Sequence, residues 1–336
     1  MRRILLFAYL CLNSISLVGS VGNSIIGAID QLAITDLDKK INSSQSTDMV
    51  EISSLISRKL RVMSFNMLLN YDEAHLDVID RWEHRKNRVM EYVTWAHPDI
   101  LGTQELQADQ LEDILKGIGH DYAYYGLGVK DGDKQGDIPA IFYLKDRFTL
   151  IESRTYYYSD TPDVVSNDPF GKKNTFTCCL FKDRKSDKPF LVINTHLSFS
   201  TVERRYDQAC RLRDFLIKNR FNCPVFITGD FNTFPFRQQL DLPFYDGDLI
   251  VRILEQGGVT DSLKLAVFGH FGPIDSTNFC AETKKPFCSQ GTPGVILDHI
   301  FVSPNVTVIA HGIDPAKVDG HFPSDHFPVI VDCLLK

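Results

Sequence analysis

Short apolar runs, each closed by a polar cluster, recur from Leu60 onward. Leu60–Phe65, Ile100–Gly102, Ala140–Tyr143, Leu191–Asn194, Val225–Thr228, Ile296–Val302 and Val329–Leu334 have the length and continuity of buried strands. Between them the apolar spacing changes to three and four, which predicts helices over Arg81–Ala96, Ala108–Ile118 and Val202–Asn219. Pro98 stops the first, since proline and the residue before it resist helical geometry. No internal repeat is visible. Runs from both ends of the region finish in the same kind of polar cluster, so residues 60–336 are expected to form one domain.

Ahead of Leu60 the pattern is different. Met1-Arg2-Arg3 is positively charged, Ile4 to Val18 is mostly apolar, and Gly19 and Ser20 are small. That three-part shape predicts a signal peptide over residues 1–20 and a secreted or periplasmic protein. A membrane anchor left uncleaved is the alternative, although Asn13, Ser14 and Ser16 interrupt a run already short for a span. Residues 21–59, with Asn42-Ser43-Ser44-Gln45-Ser46-Thr47 at their centre, read as a mostly polar linker.

The chain has 336 residues, with 36 Lys and Arg against 43 Asp and Glu. The net charge of −7 argues against a general nucleic-acid coat, which needs excess cations to displace counterions. It is compatible with a phosphate-handling enzyme, because a site for a divalent cation is itself acidic. Of the 8 cysteines, Cys11 lies in the leader, and Cys280 and Cys288 flank a short polar segment. That pair is expected either to bridge or to stay reduced. Cys178, Cys179, Cys210, Cys223 and Cys333 sit in apolar or helical contexts and read as core filler.

The chemistry lies where the apolar runs end. In order these clusters offer Asn66, Glu105, Asn194 with His196, Asp230 with Asn232, Asp298, and Asp325 with His326. Each alone has an ordinary explanation as a turn residue, a helix cap or a structural ion pair. Together they form a set of oxygen ligands that would repel one another without a cation. Oxygen donors with no cysteine point to a hard metal, Mg²⁺ or Mn²⁺. The two histidines add a general acid or base and a donor for a phosphoryl oxygen.

These motifs resemble the endonuclease/exonuclease/phosphatase superfamily. The residues that carry the resemblance are Ser64-Phe65-Asn66, Gln104-Glu105, Asn194-Thr195-His196-Leu197, Gly229-Asp230-Phe231-Asn232, Leu297-Asp298-His299-Ile300 and Ser324-Asp325-His326. Trp82 with Arg85, Ala140-Ile141-Phe142-Tyr143 and Arg205 with Gln208 look most like a bacterial secreted branch. The resemblance implies an α+β fold: a four-layer αββα sandwich with two packed mixed β-sheets. It also implies divalent-metal-dependent hydrolysis of phosphate esters, of the phosphodiesterase or nuclease kind.

Carried over by motif, Asn66, Glu105 and Asp325 are expected at the metal, with Mg²⁺ first and Mn²⁺ second. Asp230 would orient or deprotonate the attacking water, and Asn232 would hold that water or a phosphate oxygen. His326 would contact the phosphate, with Asp298 fixing its tautomer. His196 would face the scissile phosphate, and Arg205 is expected either to add a phosphate contact or to lie on a solvated helix face.

Two departures from the family stand out. Leu68 occupies a place where many members have Asn or Asp, and Asn174-Thr175-Phe176-Thr177-Cys178 replaces an Arg-x-x-Thr-Trp stretch. Nucleic acid is the first substrate expectation and a phospholipid or inositol-phosphate head group the alternative. Tyr156, Tyr157, Tyr158, Lys284 and Lys285 are expected to be partly core and partly solvated, with holding either substrate as the alternative. A non-catalytic binding module on the same fold is the rival of another class. No segment calls for an obligate protein partner, and a monomer is expected.

Overall fold

The computed structural model describes residues 58–71, 73–233, 246–278 and 295–336, and those from Leu60 onward belong to one compact unit, Leu60–Lys336. The predicted leader, nearly all of the predicted linker, Lys284, Lys285, Cys280 and Cys288 lie outside the described residues.

Two mixed sheets pack face to face. In the first, β1 (Leu60–Asn66) lies between β2 (Ile100–Gln104), parallel to it, and β13 (Val329–Leu335), antiparallel to it. Outward from β2 come β4 (Ile141–Leu144) and β3 (Tyr122–Tyr125); outward from β13 come β12 (Val306–Ile313) and the short β10 (His270–Phe271). The second sheet repeats the central arrangement. Its β8 (Val225–Asp230) lies between β7 (Pro189–His196), parallel to it, and β11 (Asp298–Val302), antiparallel to it. β6 (Thr175–Asp183) and β5 (Phe148–Tyr157) extend it beyond β7, and β9 (Thr260–Asp261) closes the other edge.

Side-chain alternation decides what each strand contributes. Successive strand residues point to opposite faces. In β8, Phe226 joins the core between the sheets, whereas Val225 and Ile227 face the helices. The same parity sends Phe190 and Val192 of β7, Leu60 and Val62 of β1, and Ile300 and Val302 of β11 into the intersheet core. Followed to the strand ends, those inward positions become Asn194, Thr228, Gln104 and Ser64, and then His196, Asp230, Asn66 and Asp298. The intersheet space is therefore apolar below, hydrogen-bonded in the middle and ionisable at the top.

The middle layer joins the sheets. Buried Asn194 donates through Nδ2 to the Thr103 and Ala140 carbonyls, at 2.7 and 3.0 Å. Its Oδ1 accepts from Gln104 Nε2 at 2.7 Å and from Thr228 Oγ1 at 2.9 Å. All four contacts satisfy polar groups that would otherwise be stranded in the core. Gly102 allows the close approach: a Cβ there would lie 2.1 Å from Thr228 Oγ1 and 2.6 Å from Asn194 Oδ1.

Helices cover the outer faces. α1 (Trp82–Ala96) buries Arg85, Val89, Tyr92 and Ala96 on one stripe against the first sheet, with Tyr92 edge-on to Phe65 at 5.8 Å. It ends at His97, whose left-handed backbone precedes Pro98, as the sequence predicts. α2 (Ala108–Ile118) and α3 (Val202–Asn219) also match their expected spans. Thr201 caps α3 by accepting from the Arg204 N–H at 3.2 Å. A short α4 (Leu249–Glu255) packs with α3 over the second sheet. Cys178, Cys179 and Cys333 are buried, and Cys210 and Cys223 are half-buried.

Candidate active site

The strand register of the second sheet lines up three site residues. His196 pairs with Asp230 across the β7–β8 ladder, and Asp230 pairs with Asp298 across β8–β11. Neighbouring strands lie about 4.8 Å apart, so three inward side chains in one row must converge. Asn66 meets them from the facing sheet. Its Nδ2 donates to Asp230 Oδ2 at 3.1 Å and to Glu105 Oε1 at 3.2 Å. Its Oδ1 accepts from the Leu68 N–H at 2.9 Å, and Glu105 Oε2 accepts from the Leu69 N–H at 3.0 Å.

Two imidazoles flank Asp230, and each has a carboxylate behind it. His326 Nδ1 lies 2.8 Å from Asp298 Oδ2, an oxygen that also accepts from Ser276 Oγ at 2.7 Å. His196 Nδ1 lies 2.9 Å from Asp137 Oδ2. The opposite nitrogens, Nε2 of both rings, lie 3.7 Å (His196) and 3.8 Å (His326) from the single oxygen Asp230 Oδ2. Burial alone would strip the proton from both rings, but the neighbouring carboxylates outweigh it. His196 is pushed up to about 10, by Asp137 first and then by Asp230 and Glu105. His326 is raised well above the ordinary range, by Asp298 and then Asp230.

Part of this arrangement rests on unfavourable backbone. Leu68, Glu105 and Asn232 hold φ of 54°, 62° and 51°, in the left-handed region that side-chain-bearing residues avoid. Each such residue costs about 1–3 kcal/mol and persists only when its surroundings over-determine it. At Leu68 the surroundings are visible: its carbonyl accepts from Arg85 Nη2 and from Gln110 Nε2, both side chains being buried. At Asn232 the backbone N–H donates to Asp230 Oδ1 at 2.9 Å, and Nδ2 donates to the Leu197 carbonyl at 2.9 Å. That Nδ2 also lies 3.3 Å from His196 Nε2.

Among the residues expected at the site, Asn66, Glu105, His196, Asp230, Asn232, Asp298 and His326 are brought together. Asp325 belongs to neither of the two groups of converging ligand atoms, Glu105–His196–Asp230 and Asp230–Asp298–His326, although Glu105 and His326 both act on its charge. Burial raises the Asp325 carboxyl. Arg205 differs from both of its expected uses. It is buried, ion-paired to Asp246 at 2.8 Å, and donates to the carbonyls of Ser198 and Phe199. Its fork therefore holds the loop after β7.

Asn174, at the place where the bacterial branch has Arg, donates to the His196 carbonyl at 2.9 Å. Tyr156 stacks on Phe176 at 5.3 Å, and Tyr158 is buried with its hydroxyl on Thr195, so both belong to the core. Asp137 and Ser276 were not visible in the sequence. Each lies in a turn-rich segment and acquires its role only through a contact distant in the chain.

The donor set fits a hard divalent cation. Glu105 and Asp230 carboxylates converge with Asn66 between them, and Asp298 Oδ1 is buried with no hydrogen-bond partner among the described residues. Each of the two ligand groups also contains one histidine nitrogen, His196 in the first and His326 in the second, and the carboxylate oxygens that outnumber it suit a hard divalent cation.

Comparison with known proteins assigns the class. The model of the endonuclease/exonuclease/phosphatase family matches residues 63–326, and the chain belongs to that family. Its members are divalent-metal hydrolases that act on phosphate esters or nucleic acids, and this chain is such a hydrolase. Among curated relatives, Protein angel of Drosophila melanogaster is 25% identical over 276 residues, covering 78% of this chain and 71% of that protein. Among solved structures, a mannosyl-6-phosphatase from Bacteroides thetaiotaomicron has a TM-score of 0.69 at 28% identity, covering 82% of this chain and 100% of that one. The human Nocturnin catalytic domain with bound sulfate shares the fold, with a TM-score of 0.61 at 22% identity, covering 83% of this chain and 95% of that one.

Proposed function

We propose that the protein hydrolyses small phosphate esters with a divalent cation, Mg²⁺ or Mn²⁺. One observation carries the chemistry: two imidazoles, each backed by a carboxylate, turn their Nε2 atoms to the same Asp230 oxygen. Glu105 would hold the cation, with Asn66 keeping Glu105 and Asp230 in place and Asp325 supporting from further out. When bound, the cation supplies positive charge against the phosphoryl group.

Asp230 takes the proton of the attacking water, and Asn232 orients that water. The water oxygen bonds to phosphorus as the ester P–O bond breaks. His196, held protonated by Asp137, gives its Nε2 proton to the departing alkoxide. His326, held by Asp298, donates to the phosphoryl oxygen that gains charge.

A small substrate suits the charge around the site better than a polyanionic strand does. The loop that carries Asp137 has Lys130 and Lys134 against Asp131, Asp133 and Asp137. The segment after β1 has Asp72, Glu73, Asp77 and Asp80 against Arg81, the segment before β13 has Asp314, Asp319 and Asp325 against Lys317, and the stretch before β6 adds Lys172 and Lys173 against Asp168; Lys284 and Lys285 lie outside the described residues. A nucleic-acid strand needs a run of cations along its backbone. The mannosyl-6-phosphatase likeness, which extends over that whole chain, supports the same choice. The leader expected over residues 1–20, followed by a linker over 21–59, would place the reaction outside the cytoplasm.

A hydrolysis panel tests this: hexose phosphates, nucleoside monophosphates, glycerol phosphate, single-stranded DNA and RNA, and phospholipid vesicles, each with Mg²⁺, with Mn²⁺ and with excess EDTA. Turnover of monoesters that EDTA abolishes and Mg²⁺ or Mn²⁺ restores is expected. Activity that persists in EDTA, or that is confined to the polymers, would overturn the reading.

A further inference from the structure

Phe199 is 73% exposed and stands three positions after His196. Large apolar side chains occur singly on protein surfaces without meaning. What separates Phe199 from that background is the loop that presents it. The Leu197 N–H donates to the Asp230 carbonyl, and the Leu197 carbonyl accepts from Asn232. The Ser198 N–H donates to Gln208 Oε1 at 2.8 Å, Ser198 Oγ accepts from Arg204 Nη1 at 3.0 Å, and the Ser200 N–H donates to Ser198 Oγ at 3.2 Å. Arg205 Nη1 donates to the Ser198 and Phe199 carbonyls at 3.0 and 3.3 Å.

Arg204, Arg205 and Gln208 are all buried on one face of α3. Burying two guanidinium groups is unfavourable unless each is paired, and here Arg204 is paired with Asp168 and Arg205 with Asp246. Two buried ion pairs thus back the hydrogen bonds that tie Leu197–Ser200 to α3, Asp230 and Asn232, and the large side chain this loop offers to solvent is a phenyl ring. An aromatic side chain whose backbone is already tied down, on the loop that follows His196, binds a ligand ring with less loss of freedom than one on a free loop. A loop that served only to connect β7 to α3 would need neither the pairs nor the ring.

We propose that Phe199 is a specificity-determining residue, a platform for the ring of the alcohol that leaves when the ester is cleaved. This rests on the hydrolase reading above and narrows its substrate class to phosphate esters of ring-bearing alcohols. The shared chemistry is a ring face that packs on a phenyl ring, and it has two sources: the C–H face of a pyranose or the base of a nucleoside.

Phe199→Ala, Phe199→Tyr and the unaltered protein are compared on mannose 6-phosphate, adenosine 5′-monophosphate and glycerol phosphate. The expected result is that the Ala variant lowers the ratio of kcat/KM for ring-bearing over ringless ester by about 5- to 100-fold, the range that ring stacking supplies, mainly through KM. The Tyr variant restores the ratio. The ester whose ratio falls further identifies the source. An unchanged ratio, or an Ala effect seen only on esters carried by phosphatidylcholine vesicles, would overturn the proposal.

Should the unaltered protein turn over no ester, calorimetric affinities for the same compounds decide. A ring-selective loss on Phe199→Ala keeps the platform while the hydrolase reading falls. No ring-selective affinity overturns both.

Discussion

Asp137 Oδ2 lies 2.9 Å from His196 Nδ1, a contact made across 59 positions of the chain. The charged imidazole is the form that Asp137 favours, which keeps His196 protonated up to a pH of about 10. Asp137→Asn removes that charge, so the pKa of His196 falls toward the ordinary value of about 6.5. Turnover at neutral pH is expected to drop about 10- to 100-fold, and the alkaline limb of the pH–rate profile to move to lower pH. A variant with lowered turnover but an unmoved alkaline limb would show that Asp137 acts on something other than the His196 proton.

Asp230 is buried among carboxylates and serves as the focus of both histidines. Asp230→Asn keeps its shape and removes a charge that repels Asp298 but attracts the His196 and His326 imidazoles, two effects that oppose one another. Turnover should fall by at least about 10²-fold, with a melting temperature close to that of the unaltered protein. His326→Ala should match the loss of turnover. A fall of many degrees in the Asp230→Asn melting temperature would assign Asp230 to structure instead of chemistry.

Gly102 permits the two sheets to approach beneath the site. Gly102→Ala places a methyl group inside the contact distance of both Thr228 and Asn194, which are held by their own hydrogen bonds. Overpacking of this kind costs about 1–3 kcal/mol. Urea denaturation measures it, and a variant as stable as the parent would mean that the polar layer gives way easily.

His299 and Asp261 form a buried pair at 2.8 Å on the outer face of the second sheet. Burial pulls His299 down, but Asp261 outweighs it, so His299 is raised; burial pushes Asp261 up, but His299 outweighs it, so Asp261 is lowered. The stability from His299 is complete below its unfolded value of about 6.5 and fades as pH rises through its higher folded value. The stability from Asp261 is complete above about 3.9 and fades as pH falls through its lower folded value. The pair therefore contributes most between about pH 4 and 6.5. His299→Gln should cost about 3–5 kcal/mol near pH 5.5 and distinctly less at pH 9.5. A gap independent of pH would rule out the charged pair.

The strands legible in the sequence are those with continuous apolar runs, and β1, β7, β8 and β11 among them carry the site. In β1, β7 and β8 an unbroken apolar run ends abruptly in Asn66, His196 and Asp230, because the inward parity continues from the apolar core into the polar rim. β5 escaped notice because half of its positions, among them Thr149, Glu152 and Ser153, face solvent or lie at the surface. β12 escaped because it lies near an edge and has His311 and Gly312 inside it. Arg205 was misread for a different reason. Its surroundings on α3, Glu203, Arg204 and Asp207, look like a solvated face, but Asp168 and Asp246 come from remote loops to neutralise the two arginines. Pairing between distant segments, as for Asp137 and Ser276, leaves no local mark in a single chain.

The left-handed backbone at Leu68, Glu105 and Asn232 has an evolutionary corollary. Glycine adopts such angles freely, so at these positions the residues that favour a durable fold and those that favour turnover are different. A population of variants selected for heat resistance alone should drift toward glycine at Glu105 and Asn232 and lose the reaction as it gains endurance. On the mechanism proposed above, Glu105 and Asn232 would be the places where the demands of activity and of stability pull apart.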